Sequence, residues 1–278
     1  MNDLSVINLS GEKEPFSYYK VLRSARRAGA SKRVSEMIAE EVKRKARSGM
    51  RTSEIYSMVR FLLNKEEPKT AIKFDLKEAM KRLGPTGFPF EKFIGNVLAH
   101  EGYSVRLNQF VPGKCCPEYE IDFLASKQDV LYVGECKYKS LFEGRVDLPD
   151  ALQNHARFLD IKEGRFFEKE KKILKSSLVT NAKFSSLATK YSECAGVGLL
   201  GWKYPKGDGL ERHIESSLLY PVTILPSLKR YLADIFIEKG ILLAKDLLDE
   251  KKLNLLGKSL VSSPSFKSLV KEAEILLK

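Results

Sequence analysis

In the first third of the chain, apolar residues recur at helical spacing three times: Tyr18, Val21, Leu22 and Ala25; Val34, Met37, Ile38 and Val42; then Ile55, Met58, Val59 and Leu62 with Leu63. The spacing predicts helices over about 18–28 and 31–48 and a third from Thr52. Ser17 would cap the first, and Gly29 and Gly49 would stop the first two. A short strand is predicted before them, at Ser5 to Leu9, with a turn at Ser10-Gly11. Residues 68–89 carry Pro68, Gly84, Pro85, Gly87 and Pro89 and read as a linker. Beyond it the pattern alternates between helix and strand. Phe90, Phe93, Ile94, Val97 and Leu98 mark a helix, and Tyr103 to Leu107 a strand. Two further strands, 118–125 and 130–139, flank the polar turn Ser126-Lys127-Gln128-Asp129. A helix at 150–160, a strand at 175–180, a helix at 185–194 and a strand at 197–204 follow. After Pro221 and Pro226 the apolar stripes are helical again. The pattern divides the chain into a mostly helical unit (1–84), an α/β domain (85–225) and a C-terminal helical segment (226–278).

Composition adds a partner class. Of 278 residues, 43% are hydrophobic and 30% charged, which excludes a disordered or low-complexity chain. The net charge of +12 favours a polyanion such as nucleic acid. Residues 1–84 hold 19 Lys and Arg against 11 Asp and Glu, so most of that excess is N-terminal. No apolar run reaches the length of a membrane span and the first residues show no signal-peptide core, so the expectation is a cytoplasmic protein without a membrane partner. Cys115, Cys116, Cys136 and Cys194 form no CxxC pair, and His100, His155 and His213 lie far apart, which argues against structural zinc.

The hairpin carries the chemistry. In Tyr119 to Leu124, alternation sets Glu120 and Asp122 opposite the apolar Tyr119, Ile121 and Phe123. In Leu131 to Lys137, Glu135 and Lys137 share a face while Cys136 points away. If the four-residue turn pairs Ala125 with Val130, Asp122 lies opposite Val133 and diagonal to Glu135. Two carboxylates and a lysine then converge. Phosphodiester hydrolysis needs a hard cation that neutralises phosphate charge and acidifies a water, and such cations take oxygen ligands. Asp122 and Glu135 can supply those ligands, and Lys137 can orient the water and offset developing charge. The competing reading is a solvated cross-strand pair of Glu135 and Lys137.

At these residues the domain resembles the PD-(D/E)XK nuclease superfamily, and more closely the Mrr-type restriction endonucleases. The matching elements are Gly87-Phe88-x-Phe90-Glu91-x-Phe93-Ile94, Gly102-Tyr103-x-Val105, Glu120-Ile121-Asp122 and Glu135-Cys136-Lys137-Tyr138. The resemblance implies a restriction-endonuclease-like mixed sheet flanked by helices and Mg²⁺-dependent (or Mn²⁺-dependent) cleavage of DNA. It implies Asp122 and Glu135 as metal ligands, the Cys136 carbonyl as a further one, Lys137 as catalytic lysine, Glu91 as an accessory acid and Gln153 as a helix-borne contributor. A simpler role for Glu91 is a first-turn carboxylate favoured by the helix dipole.

The N-terminal order of strand, Gly turn, Glu14-Pro15-Phe16-Ser17, Lys20, Ala28-Gly29-Ala30, Val42, Gly49 and Thr52-Ser53-Glu54-Ile55 resembles the ATP-cone, a nucleotide-binding regulatory domain. The resemblance implies that Lys20 and Thr52 contact ATP or another nucleotide, although Asn8-Leu9 stands where that family has a Lys-Arg pair. Elsewhere, Thr180, Asn181 and Lys183 are candidates for phosphate contacts, and Trp202 and Tyr204 for base stacking, against core and capping roles for the same residues. The C-terminal Lys239-Gly240-Ile241 and Leu256-Gly257-Lys258 turns resemble helix-hairpin-helix modules, with packing or a homodimer contact as the alternative.

Overall fold

The computed structural model describes residues 4–84, 87–140 and 144–278; Pro85 of the expected linker lies outside them. The N-terminal unit is built on a three-stranded sheet. Strand β1 (Ser5–Ile7) pairs antiparallel with β2 (Lys13–Pro15) and parallel with β3 (Met50–Arg51). β2 and β3 are only three and two residues long, so no alternation announced them. Helices α1 (Tyr18–Arg27), α2 (Lys32–Lys45) and α3 (Thr52–Glu66) close over a core of Val21, Ala25, Ile38, Val42, Val59 and Leu63. Ser17 and Ser31 cap α1 and α2 by accepting the amides of Lys20 and Val34.

Residues 68–89 are not a plain linker. They hold α4 (Pro68–Phe74) and α5 (Leu76–Lys81), whose Ile72, Leu76, Ala79 and Met80 are buried. Pro68 occupies the first helical position, where its missing N–H and fixed φ start a helix rather than break one.

The second unit is mixed α/β. Its five-stranded sheet runs β10 (Gly198–Leu200), β8 (Ile173–Thr180), β6 (Val130–Lys137), β5 (Tyr119–Lys127), β4 (Ser104–Val111). The β4–β5–β6 part is antiparallel, and β6–β8–β10 is parallel. Helix α6 (Phe88–His100) covers one face with Phe90, Phe93, Ile94 and Val97, against Phe123, Ala125 and Cys136. Helix α7 (Leu148–Glu163) covers the other with Phe158 and Ile161, against Leu124, Leu131 and Val133. A two-stranded parallel ribbon, β7 (Arg145–Val146) with β9 (Lys183–Phe184), and helix α8 (Ser186–Ala195) complete that side.

Helix α9 (Leu210–Ser216) leads into the C-terminal segment, where α10 (Arg230–Glu238), α11 (Glu250–Leu253), α12 (Lys258–Val261) and α13 (Pro264–Leu277) follow. Its Phe236, Ile241, Phe266, Leu269 and Leu276 are buried in one continuous core with Phe90 and Phe93, and Thr223 donates to the Ala79 carbonyl at 2.7 Å. Segment 226–278 thus packs into the α/β unit, with α13 against α4, and Thr223 just before it ties the chain to α5. Among the described residues no helix is long and apolar enough to cross a membrane.

Candidate active site at the end of the β5–β6 hairpin

The observed register differs from the expected one. Ser126 and Lys127 continue the ladder, pairing with Leu131 and Val130, so the turn is only Gln128-Asp129, with Gln128 at φ +53°. Phe123 therefore pairs with Gly134, where the β5–β6 ladder ends, and beyond it the Asp122 carboxylate accepts from the Cys136 amide, next to Glu135. Gly134 is required here: a Cβ would lie 1.9 Å from a carbon of the Phe123 ring.

The alternation of β5 shifts by one residue at Asp122. Ile121 and Leu124 belong to the α7-side core, whereas Phe123 and Ala125 belong to the α6-side core. Across the ladder sits Asn108, at φ +50°. This irregularity sets Asp122 within the electrostatic reach of both Glu135 on β6 and Glu91 on α6. Glu91 accepts from the Asn108 amide at 3.1 Å.

The electrostatics follow from placing carboxylates together out of water. Burial, then Glu135, then Glu91 push Asp122 up to about 7, while the Cys136 amide, donating to Oδ2 at 2.7 Å, holds it back. Burial also raises Glu91, opposed by Asn108 and reinforced by Glu120 and Glu135. Glu135 is 8% exposed and is held from two sides: Lys137 Nζ lies 2.9 Å from Oε1, and Arg157 Nη1 lies 2.5 Å from Oε2. The Lys137 carbonyl accepts from Thr180 Oγ1 at 2.5 Å, which fixes the backbone under the lysine.

Asp122, Glu135, Lys137, Glu91 and the Cys136 backbone are therefore brought together. Gln153 is exposed on α7, four residues before Arg157 and so on the same helix face. Sequence reading missed Arg157; helical spacing from Gln153 was the signal that would have found it. Thr180 and Asn181 are buried, with Asn181 bonded to both the Lys139 amide and carbonyl, so they do not offer their side chains to a phosphate. Trp202 is buried at 3% exposure, and the Tyr204 hydroxyl donates to Glu193; the core role holds for Trp202 over base stacking. His155 is bonded to the Tyr191 hydroxyl.

Among the described residues no group of three or more His, Cys, Asp or Glu side chains is spaced to hold a metal ion. Asp122 and Glu135 nevertheless fit a cation of the Mg²⁺ kind, which takes one or two carboxylates and completes its shell with waters and substrate phosphate. The acid that burial and its neighbours hold near neutrality is the group such a charge would ionise.

Lys20 and Thr52 line one cavity of about 470 Å³, away from these carboxylates. Lys20 there pairs with Glu14 at 2.9 Å. Asn8 is not part of its wall and closes the β1–β2 turn by accepting the Glu12 amide.

A family model described as AF1548-like, C-terminal, matches residues 220–277. The chain is 33% identical over 185 residues to an uncharacterized protein of Archaeoglobus fulgidus, a match spanning 65% of this chain and 98% of that relative. It is also similar to a solved structure described as "Crystal Structure of Protein of Unknown Function AF1548", at 30% identity and a TM-score of 0.55, covering 69% of this chain and 98% of that one. With a relative at this identity matched over nearly its whole length, the chain belongs to the AF1548-like family.

Proposed function

We propose that this protein is a Mg²⁺-dependent DNA endonuclease of the PD-(D/E)XK, Mrr-type restriction-endonuclease-like kind, whose N-terminal ATP-cone-like unit makes it responsive to a nucleotide. The observation that carries this reading is the closeness of Asp122 to Glu135 and Glu91 where the β5–β6 ladder ends, with Asp122 bonded to the Cys136 amide and Lys137 paired with Glu135. Asp122, Glu135 and the Cys136 carbonyl would hold the cation, which supplies charge neutralisation for the phosphate and acidifies a water. Lys137 would orient that water toward phosphorus and offset the charge that builds as the bond to the leaving sugar oxygen breaks. Glu91, held by Asn108, would serve as an accessory acid, and Gln153 with Arg157 would present polar and cationic contacts to the DNA backbone from α7.

Cleavage of supercoiled plasmid tests this. Wild type with Mg²⁺ is expected to nick or linearise it, and Asp122→Ala is expected to be inactive while remaining folded by circular dichroism. Undiminished cleavage by that variant would remove the site assignment.

A second reading is favoured by one observation: both carboxylate oxygens of Glu135 already pair with cations. A nucleotide-responsive DNA-binding or transcriptional regulatory protein would keep such an arrangement without turnover. Calorimetry with Mn²⁺ separates the two. The nuclease reading requires binding by wild type that Asp122→Ala loses, whereas the binding-protein reading requires no difference between them.

A further inference from the structure

The cavity that Lys20 and Thr52 line is not confined to the N-terminal unit. Its wall combines Lys20 and Arg27 of α1 and Lys73 and Lys77 of α4 and α5 with Lys183 and Lys203 of the α/β unit. Phe16, Ile55, Phe74 and Trp202 add apolar and aromatic surface. Its volume, about 470 Å³, lies inside the roughly 300–1,000 Å³ of small-molecule sites. Of the carboxylates on the wall, Glu14 pairs with Lys20, Glu78 with Lys81, and Glu211 with Arg27 and Lys203, while burial and then Glu211 raise Glu215 towards its neutral form. Burial lowers Lys77, and the nearby Lys183, Lys81 and Lys203 lower it further; burial also lowers Lys203. Glu211 opposes both shifts, and an anion placed among these lysines would offset the repulsion that remains.

Of the two lysines from the α/β unit, Lys183 opens strand β9 and Lys203 sits on a turn. The Trp202 amide donates to the Ala182 carbonyl at 2.9 Å, tying the Lys203 turn to the residue before Lys183. Gly209 lies so close behind the Lys203 turn that a Cβ would come within 2.6 Å of its backbone. From Lys183 a short path leads to the hairpin. The Ala182 amide donates to Thr180 Oγ1 at 3.1 Å, and Thr180 Oγ1 donates to the Lys137 carbonyl. Asn181 grips Lys139 through two hydrogen bonds.

We propose that this cavity is a nucleoside triphosphate site shared between the two units, in which Lys183 and Lys203 hold the phosphates together with Lys20 and Lys77, and that its occupancy is transmitted through residues 180–183 to the backbone of Lys137. The inference rests on the nucleotide-responsive part of the proposed function and adds which residues of the α/β unit take part. A mixed apolar and cationic wall around a half-open cavity of this volume matches a base and its phosphates.

Calorimetry with ATP on the full chain tests the binding. The charge-removing pair Lys183→Ala/Lys203→Ala changes exposed side chains and is expected to weaken ATP tenfold or more, with Lys183→Arg/Lys203→Arg staying within threefold of wild type. An alanine pair that binds within twofold of wild type overturns the shared site; loss on Lys20→Ala alone would then confine the nucleotide to the helical unit. Inorganic triphosphate binding as tightly as ATP overturns the nucleoside assignment. No binding of ATP by wild type overturns the inference and the nucleotide-responsive reading together, while Mg²⁺-dependent plasmid cleavage, measured separately, decides the nuclease reading. For the transmission, ATP is expected to slow amide hydrogen exchange over residues 135–140 at least threefold in wild type and to leave it unchanged in the alanine pair and in Asn181→Ala. Equal slowing in wild type and Asn181→Ala overturns the proposed path.

Discussion

The hairpin end and the lysine-lined cavity are electrostatic opposites. At the first, Asp122, Glu135 and Glu91 are drawn together out of water, and burial with mutual repulsion pushes Asp122 up to about 7. At the second, burial and neighbouring lysines push Lys77 down. Each region holds its like charges at a cost to the folded state, and each would recover that cost by binding the opposite charge. Net charge alone shows neither. A chain at +12 draws attention to its cations, yet the residues that suggest a reaction are acids in the part of the sequence that is close to balanced.

The largest effect expected from breaking this symmetry is on stability at the acidic pole. Because the folded-state pKa of Asp122 lies above its ordinary value, its favourable contribution is complete below about pH 4, falls as pH rises towards about 7, and stays lost above that. Asp122→Asn is therefore expected to raise stability by roughly 2–4 kcal/mol at pH 8 and by little at pH 4. Urea unfolding at the two pH values checks this, and an equal effect at both would show that the carboxyl is not held near neutrality. Next in size is ligand-induced stabilisation. Mn²⁺ at about a hundredfold excess over its Kd should stabilise wild type by about 2.7 kcal/mol, seen as a rise in Tm. The rise should vanish in Asp122→Asn and persist in Lys183→Ala/Lys203→Ala, with ATP showing the reverse pattern. The smallest effect concerns Arg157. By pairing with Glu135 it competes with a metal ion for the same oxygen, so Arg157→Ala should tighten Mn²⁺ binding by about 1 kcal/mol, roughly fivefold. Weaker binding would instead make Arg157 a support that orients Glu135.

Much of the architecture could be read in advance because it rests on short-range pattern. Helices α1, α2, α3 and α6 begin and end close to where apolar spacing and caps place them. The sharing of a face by Glu135 and Lys137, with Cys136 turned into the opposite core, follows from strand alternation. The register did not follow, because four consecutive polar residues look like a turn whether or not the first two continue the ladder. Gln128 in the left-handed region leaves no strong mark in sequence. The shift of alternation at Asp122 was equally hidden, since it depends on Asn108 across the ladder. Helices α4 and α5 were obscured by a proline that starts a helix as readily as it ends one. The cavity was the least legible feature, since Lys20, Lys77, Lys183 and Lys203 meet only through tertiary packing.

Cleavage of DNA by the neighbouring Asp122 and Glu135 with Lys137 and a divalent cation is tested most directly by plasmid nicking across a Mg²⁺ titration, with wild type and Lys137→Ala side by side. Nicking by wild type should rise with Mg²⁺ and be abolished by chelation, and Lys137→Ala should be slower by roughly 10²-fold or more at every concentration. Nicking that survives chelation, or that proceeds at the same rate without the lysine, would contradict it.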